Sequence, residues 1–190
     1  MKWEMAELGE QVKIKTGKLD ANASSTDGQY PFFTCSQNPL KIDNYSYDCE
    51  CVLIAGNGDL NVKYYDGKFE AYQRTYIIES IDKSKLFVKY LFYFLDDYLK
   101  HLRSQSIGGV IKYIKLNNIT DIQIPLPPLS EQKRIAAILD KADALRRKDE
   151  ELLKKYDELA QSIFIDMFNI QPKILKLGSI CNKITDGVHF

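Results

Sequence analysis

Between Asp97 and Asp121 the chain carries no acid, and Lys100, Arg103, Lys112 and Lys115 all fall there. The polar segment SQSIGG, residues 104–109, lies among them. Flexible hydrogen-bond donors flanked by cations are the chemistry that meets phosphates. The same composition also suits an ordinary solvated loop. Other chemistry is poorly supplied. Cys35, Cys49, Cys51 and Cys181 include a C-x-C at 49–51, which is not zinc spacing, and no second pair follows. No metal site is expected, and the thiols read as reduced. Of the two histidines, His101 and His189, His101 falls near the end of a predicted helix. A cation complementing the helix dipole explains it better than a general base. GNGDLN at 56–61 lacks the last glycine of a G-x-G-x-x-G, and no helix signal follows it. P-loop, G-x-S-x-G and H-E-x-x-H motifs are missing, as is the Asn/Asp-Pro-Pro-aromatic mark of amino-methyltransferases. No carboxylate is spaced against Lys or His in a recognisable nuclease pattern. The expectation is a chain that performs no chemistry itself.

Bulk charge adds little. Lys plus Arg and Asp plus Glu are 26 each, and residues 1–125 hold 15 basic against 16 acidic side chains. Neither a basic tail nor a basic domain is present to attract a polyanion. No apolar run reaches the ~18 residues of a membrane span. The opening MKWEMAELGEQ has no apolar leader. A cytoplasmic location is expected.

The elements that must position the loop residues read as a mixed α+β domain. Runs at 30–35, 51–56, 75–80, 110–116 and 121–127 are rich in β-branched and aromatic residues and read as strands. GNGDLN at 56–61 and YDGK at 65–68 read as turns. Over 86–103 the period changes to that of a helix. Phe87, Leu91, Phe94, Leu95, Tyr98 and Leu102 share a face, with Asp82 or Ser84 as a possible cap. Tyr90, Phe92 and Tyr93 widen that face, so the helix is expected to be buried on more than one side.

The strongest signal is residues 129–169, with no Gly or Pro between Ser130 and Asn169. At ~1.5 Å per residue the helix is about 50–60 Å long. Ile135, Ile138, Ala142, Leu145, Leu152, Tyr156, Leu159 and Ile163 recur at steps of three and four, the a/d seam of a heptad. Asp149 and Asp166 break the phase. Asp149 reads as a solvated interruption, or alternatively as a polar register-setting residue. Pro125, Pro127 and Pro128 force an extended entry. Ser130 is the expected N-cap, Glu131 suits the first turn, and Lys133 leaves the capping box incomplete. Pro172 is the stop signal. A seam this long needs another helix to cover it. The resulting division is 1–128 globular, 129–169 helix, and 170–190 the beginning of something further.

That last segment has a counterpart. LGEQVKIKTG at 8–17 and LGSICNKITDG at 177–187 align with one insertion, at an offset of 169 residues. The chain reads as ending where a second copy of its first domain begins.

IPLPPLSEQKRIAAILDKADALRRK resembles the central region of the specificity (S) subunit of type I restriction-modification enzymes. LGEQVKIKTGK and KLGSICNKITDGVHF resemble openings of its target recognition domains, and VLIAGNGDLNVKYYDGKFEAYQRTYII resembles their middle. The resemblance covers essentially the whole chain. The departure is length: the family pattern alternates two recognition domains with two helices, and here there is one of each plus a start. The resemblance implies that the domain reads one half of a split site in double-stranded DNA. It implies that the helix pairs antiparallel, spaces the half-sites and docks methyltransferase (M) subunits, with restriction (R) subunits joining through the complex. S-adenosylmethionine and ATP would belong to those partners, so no cofactor is expected here. A half-length chain could homodimerise through residues 130–168 and read a symmetric site. Candidate readers are the loop side chains Thr16, Lys18, Ser36, Asn38, Asn57, Gln73, Arg74, Ser104, Gln105 and Lys112. Gln and Asn suit adenine and Arg suits guanine, while Lys18, Lys112 and Lys115 suit phosphates. Gln73 and Arg74, adjacent beside a strand, are the sharpest pair. Two rival classes remain: a helical adaptor that never touches DNA, and an enzyme with an unrecognised site.

Overall fold

A computed structural model describes residues 3–108, 111–167, 179 and 181. The 177–187 repeat apart from residues 179 and 181, the Pro172 stop, the last two residues of the expected helix and His189 lie outside the described residues. The chain divides into two compact units, Met1–Ala142 and Asp143–Phe190. In order the elements are β1 (Met5–Glu7), α1 (Leu8–Gln11), β2 (Val12–Thr16), β3 (Tyr30–Phe33), β4 (Leu40–Ile42), β5 (Tyr47–Ala55), β6 (Val62–Ala71), β7 (Thr75–Ser80), α2 (Val88–Gln105), α3 (Asn117–Thr120), β8 (Gln123–Pro125) and α4 (Leu129–Met167). The fold is α+β, a sheet domain followed by one long helix.

A six-stranded sheet in the order β2-β7-β5-β6-β3-β4 forms the centre of the first unit. It is antiparallel except where β3 runs parallel to β6. Both of its faces are covered, and alternation along β5 shows how. Val52 and Ile54 join one core with Leu91, Leu95 and Leu102 of α2. Cys51 and Leu53 join a second with Phe33, Phe69, Ala71 and Ile77. Side chains of opposite parity point to opposite faces, so a strand covered on both sides reads as a continuous apolar run. The second core is aromatic, with Phe69 at 5.6 Å from Phe33, 5.3 Å from Tyr47 and 5.6 Å from Tyr65 between ring centroids. The sheet curls to enclose it. The Tyr47 hydroxyl donates to the Thr16 carbonyl at 3.1 Å, and Leu19 bridges to Tyr72.

Four local expectations change. YDGK is no turn: Tyr65–Lys68 lie inside β6, in unbroken register with β5 from Val62 to Phe69. The strand accepts Gly67 at φ +134°, a conformation closed to other residues. The run at 110–116 is no strand: of its described residues only Tyr113 bridges, to Asn57 and Ile107. Its period-two pattern finds no ladder, because the chain turns into α3 at once. Asp82 and Ser84 do not cap α2. The Asp82 carboxylate instead accepts from the Ser84 N–H and hydroxyl and shapes the turn before it. Nor does Ser130 cap α4. The Pro128 carbonyl accepts from the N–H groups of Glu131 and Gln132 at 2.8 and 3.1 Å, and the helix starts at Leu129.

Gln132 instead ties together the segments that lead into the two helices. Its side chain is fully buried. Its Oε1 accepts from the Phe87 N–H at 2.9 Å, and its Nε2 donates to the carbonyls of Lys85 at 2.7 Å and Pro127 at 2.9 Å. One amide thus satisfies the entries of both α2 and α4. Asp140 holds Lys89 at 2.7 Å and the Tyr93 hydroxyl at 2.8 Å. Ile135 packs on the α2 core and Ala136 is buried, so packing of the first unit runs past residue 128. In the second unit, every described helical residue is exposed except half-buried Asp143. Asp143 pairs with Arg146 at 2.6 Å and Arg147 at 2.8 Å. Among the described residues no helix is long and apolar enough to cross a membrane.

Candidate nucleic-acid interface

Five loops meet at one rim of the curled sheet, held by backbone hydrogen bonds. Gly17 N–H donates to Thr75 at 3.1 Å, Gln73 N–H to Leu19 at 2.9 Å, and Tyr72 N–H to Phe33 at 2.9 Å. Gly56 N–H donates to Arg74 at 2.7 Å, Gly58 N–H to Lys112 at 2.8 Å, and Ile114 N–H to Gly56 at 2.9 Å. The closest approach demands glycine, because a Cβ on Gly17 would lie 2.1 Å from the Ala71 carbonyl oxygen. Loops fixed this way need little further ordering when they bind.

The expected readers separate into two groups. Asn57 and Arg74 line one open cleft of about 430 Å³, with Ile111 and Tyr113 as its other walls. Lys112 stands beside it, its carbonyl tied to Gly58 and its side chain exposed. Lys18, Asn38 and Lys115 are also exposed, as is Thr16 at the end of β2. The other group works within the loops. The Ser36 hydroxyl pairs with Thr34 at 2.7 Å and donates to the Asn38 carbonyl at 3.0 Å. Gln73 Nε2 donates to Asp20 at 2.9 Å. Ser104 donates to the His101 carbonyl at 2.7 Å. Gln105 accepts from Asn118 at 3.3 Å, and Asn118 accepts from the Lys115 N–H at 2.7 Å. Gln73 and Arg74, neighbours in sequence, therefore do different work. Gln73 clasps a loop, while the Arg74 guanidinium has no hydrogen-bond partner among the described residues.

Several residues of the rim were not among the expected readers. Cys35 donates its thiol to Asn57 Oδ1 at 2.8 Å. Asn61 donates to the Cys35 carbonyl at 2.8 Å, and its own Oδ1 accepts from Lys63. Burial pushes the Lys63 ammonium down to about 8, with the Cys35 thiol opposing that shift. Tyr113 and Ile111 were visible only as members of an apparent strand. Arg103, one of the cations of the acid-free stretch, is engaged with Asp59 at 3.2 Å and the Leu60 carbonyl at 2.8 Å.

On the helix, the expected seam splits. Ile135 is spent on the domain, whereas Ile138, Ala142, Leu145, Leu152, Tyr156, Leu159 and Ile163 are exposed. Exposed apolar residues in a line at heptad spacing are the face of an unpaired coiled coil.

Loop-borne donors on a rigid sheet, followed by a helix with an open seam, define an α+β binding module. The family model for the type I restriction modification DNA specificity domain matches residues 1–155. The specificity subunit of the Escherichia coli type I restriction enzyme EcoDI is 47% identical over 138 residues, 73% of this chain and 30% of that protein. The putative MjaX specificity subunit of Methanocaldococcus jannaschii is 31% identical over 173 residues, 80% of this chain and 40% of that protein. Among solved structures, the S subunit of a type I restriction-modification system from M. genitalium superposes with a TM-score of 0.71 at 18% identity, covering 90% of this chain and 47% of that one. The chain belongs to the type I restriction modification DNA specificity domain family. The matched stretch is less than half of each of these relatives.

Proposed function

We propose that this chain is the DNA-reading part of a type I restriction-modification system and performs no catalysis itself. The rim reads one half of a bipartite site, and α4 docks methyltransferase subunits, through which restriction subunits join. The observation that carries this reading is the convergence of Asn57, Arg74 and Lys112 at one rim on loops fixed by backbone bonds. Base-edge donors beside a phosphate-reaching cation are the two halves of DNA recognition. Methyl donor and ATP are used by the partners, in the cytoplasm where the DNA is. The open seam from Ile138 to Ile163 supports pairing with a second copy, and a two-fold dimer reads a symmetric split site.

Sequencing the methylated bases of a host that expresses this chain with a methyltransferase subunit tests all of this together. The expected result is one bipartite motif with two identical half-sites. Methylation without any motif sinks the reading. A motif with unlike halves sinks the homodimer and leaves the half-site reading standing. The balanced charge, 26 basic and 26 acidic side chains, favours a second reading, a helical adaptor without DNA contact. That reading predicts no salt-dependent shift of duplex DNA, with or without the methyltransferase.

A further inference from the structure

The cleft between Asn57 and Arg74 has a chemical polarity fixed by a residue outside it. A free asparagine amide offers one acceptor and two donors, and reads adenine by using both at once. Here the Cys35 thiol donates to Oδ1 at 2.8 Å, which takes one of that oxygen's two lone pairs and turns it toward Cys35. With the oxygen turned to Cys35, the two Nδ2 hydrogens are the groups that Asn57 offers a ligand of the cleft. The backbone that carries Asn57 is held on either side: Gly56 and Gly58 are both hydrogen-bonded, to Arg74 and Lys112, and Asn57 itself is bridged to Tyr113. Arg74 supplies donors only. Ile111, 62% exposed, and Tyr113 add an apolar wall to the cleft.

We infer that this cleft selects guanine, through N7 and O6 at its major-groove edge. Resting on the DNA-reading proposed above, this names the base. Guanine presents two adjacent acceptors, matching a pair of donor groups. Adenine and cytosine each present an amino group there, which meets donors and finds the amide oxygen turned toward Cys35. Thymine offers one acceptor. Cys35 is thus a positioning residue: it touches no base and sets what Asn57 can read.

The test selects bound sequences from a pool of randomised duplexes, using the purified full chain alone and with a methyltransferase subunit. The enriched motif is expected to contain a guanine at which 7-deazaguanine, lacking the N7 acceptor, weakens binding about tenfold to a hundredfold. Arg74→Ala should erase preference at that position. Cys35→Ala frees Oδ1 and should admit adenine there, narrowing the preference for guanine about tenfold, whereas Asn57→Ala should not admit adenine. An enriched motif whose guanines all tolerate the 7-deaza base overturns the guanine assignment alone. An unchanged motif in Cys35→Ala overturns the positioning role. If neither arm enriches any motif, the DNA-reading itself fails and this inference with it.

Discussion

Strand β5 and residues 143–167 of α4 both carry regular apolar patterns, and the protein treats them oppositely. From Cys51 to Ala55 each side chain is buried, with Cys51 and Leu53 on one core and Val52 and Ile54 on the other. Along the helix, Leu145, Leu152, Tyr156 and Leu159 are about half exposed or more. Periodicity says which way a side chain points. It does not say whether the same chain supplies a cover. The strand finds two covers within its own unit, whereas the apolar residues of the helix from Leu145 to Ile163 are left exposed, and this exposure is what supports the proposed pairing with another chain.

The contrast is sharpened most by paired truncations. Phe69→Ala removes a fully buried ring from the second core and should cost about 3–5 kcal/mol in urea denaturation. Leu152→Ala in dilute protein should change stability by less than about 0.5 kcal/mol. Equal losses would mean the helix seam is covered after all.

Gln132 lies where the two treatments meet, on a helix whose first turns are buried and whose later turns are not. Gln132→Ala strands the Phe87 N–H and the Lys85 and Pro127 carbonyls, and should cost about 3 kcal/mol by the same measurement. Lys133→Ala, one position on and exposed, should cost almost nothing. A small loss at Gln132 would show that water replaces the amide.

A seam awaiting a partner should fail when charged. Leu152→Glu with Leu159→Glu should weaken self-association or methyltransferase capture about thirtyfold or more, with the melting temperature of the sheet domain unchanged. Sedimentation of both proteins across a concentration series reads this directly. Unaltered association would remove the seam from the interface.

These contrasts explain what was legible in the sequence. The helix was, because a heptad pattern spans many turns and needs no tertiary information. Strands at 30–33, 51–55 and 75–80 were, because both-sided burial leaves continuous apolar runs. β6 was obscured by Gly67, whose left-handed conformation sits inside a strand and imitates a turn. The run at 110–116 misled in the other direction, since alternation alone cannot supply a neighbouring strand. At the site, Asn57 and Arg74 could be named by type, and the rim places them in one cleft. Their separation from Gln73 and Ser36 could not be foreseen, because Asp20 and Thr34 engage those side chains through local geometry. Cys35 gave no signal, as its effect acts through the Asn57 amide.

The smallest expected effect contrasts two lysines, one of the rim and one of the surface. Burial lowers Lys63 from 10.5 to about 8, whereas Glu50 at 2.7 Å raises Lys83. Between pH 8 and 10.5 the unfolded chain keeps the Lys63 proton and the folded chain has released it, so stability rises with pH across that window. Below pH 8 both states are protonated and the penalty of the half-buried cation is fully present. Lys83 acts in the opposite sense: its contribution is present below 10.5 and is lost as pH climbs through its raised value. Lys63→Met should therefore raise stability at neutral pH and flatten the rise above pH 8, while Lys83→Met should lower stability slightly at neutral pH. Both changes are modest, because water reaches each side chain. Urea midpoints at pH 7, 9 and 10 separate the two. A wild-type midpoint that falls steadily from pH 7 to 10, with no change in Lys63→Met, would place that ammonium in open solvent and loosen the rim assigned to it.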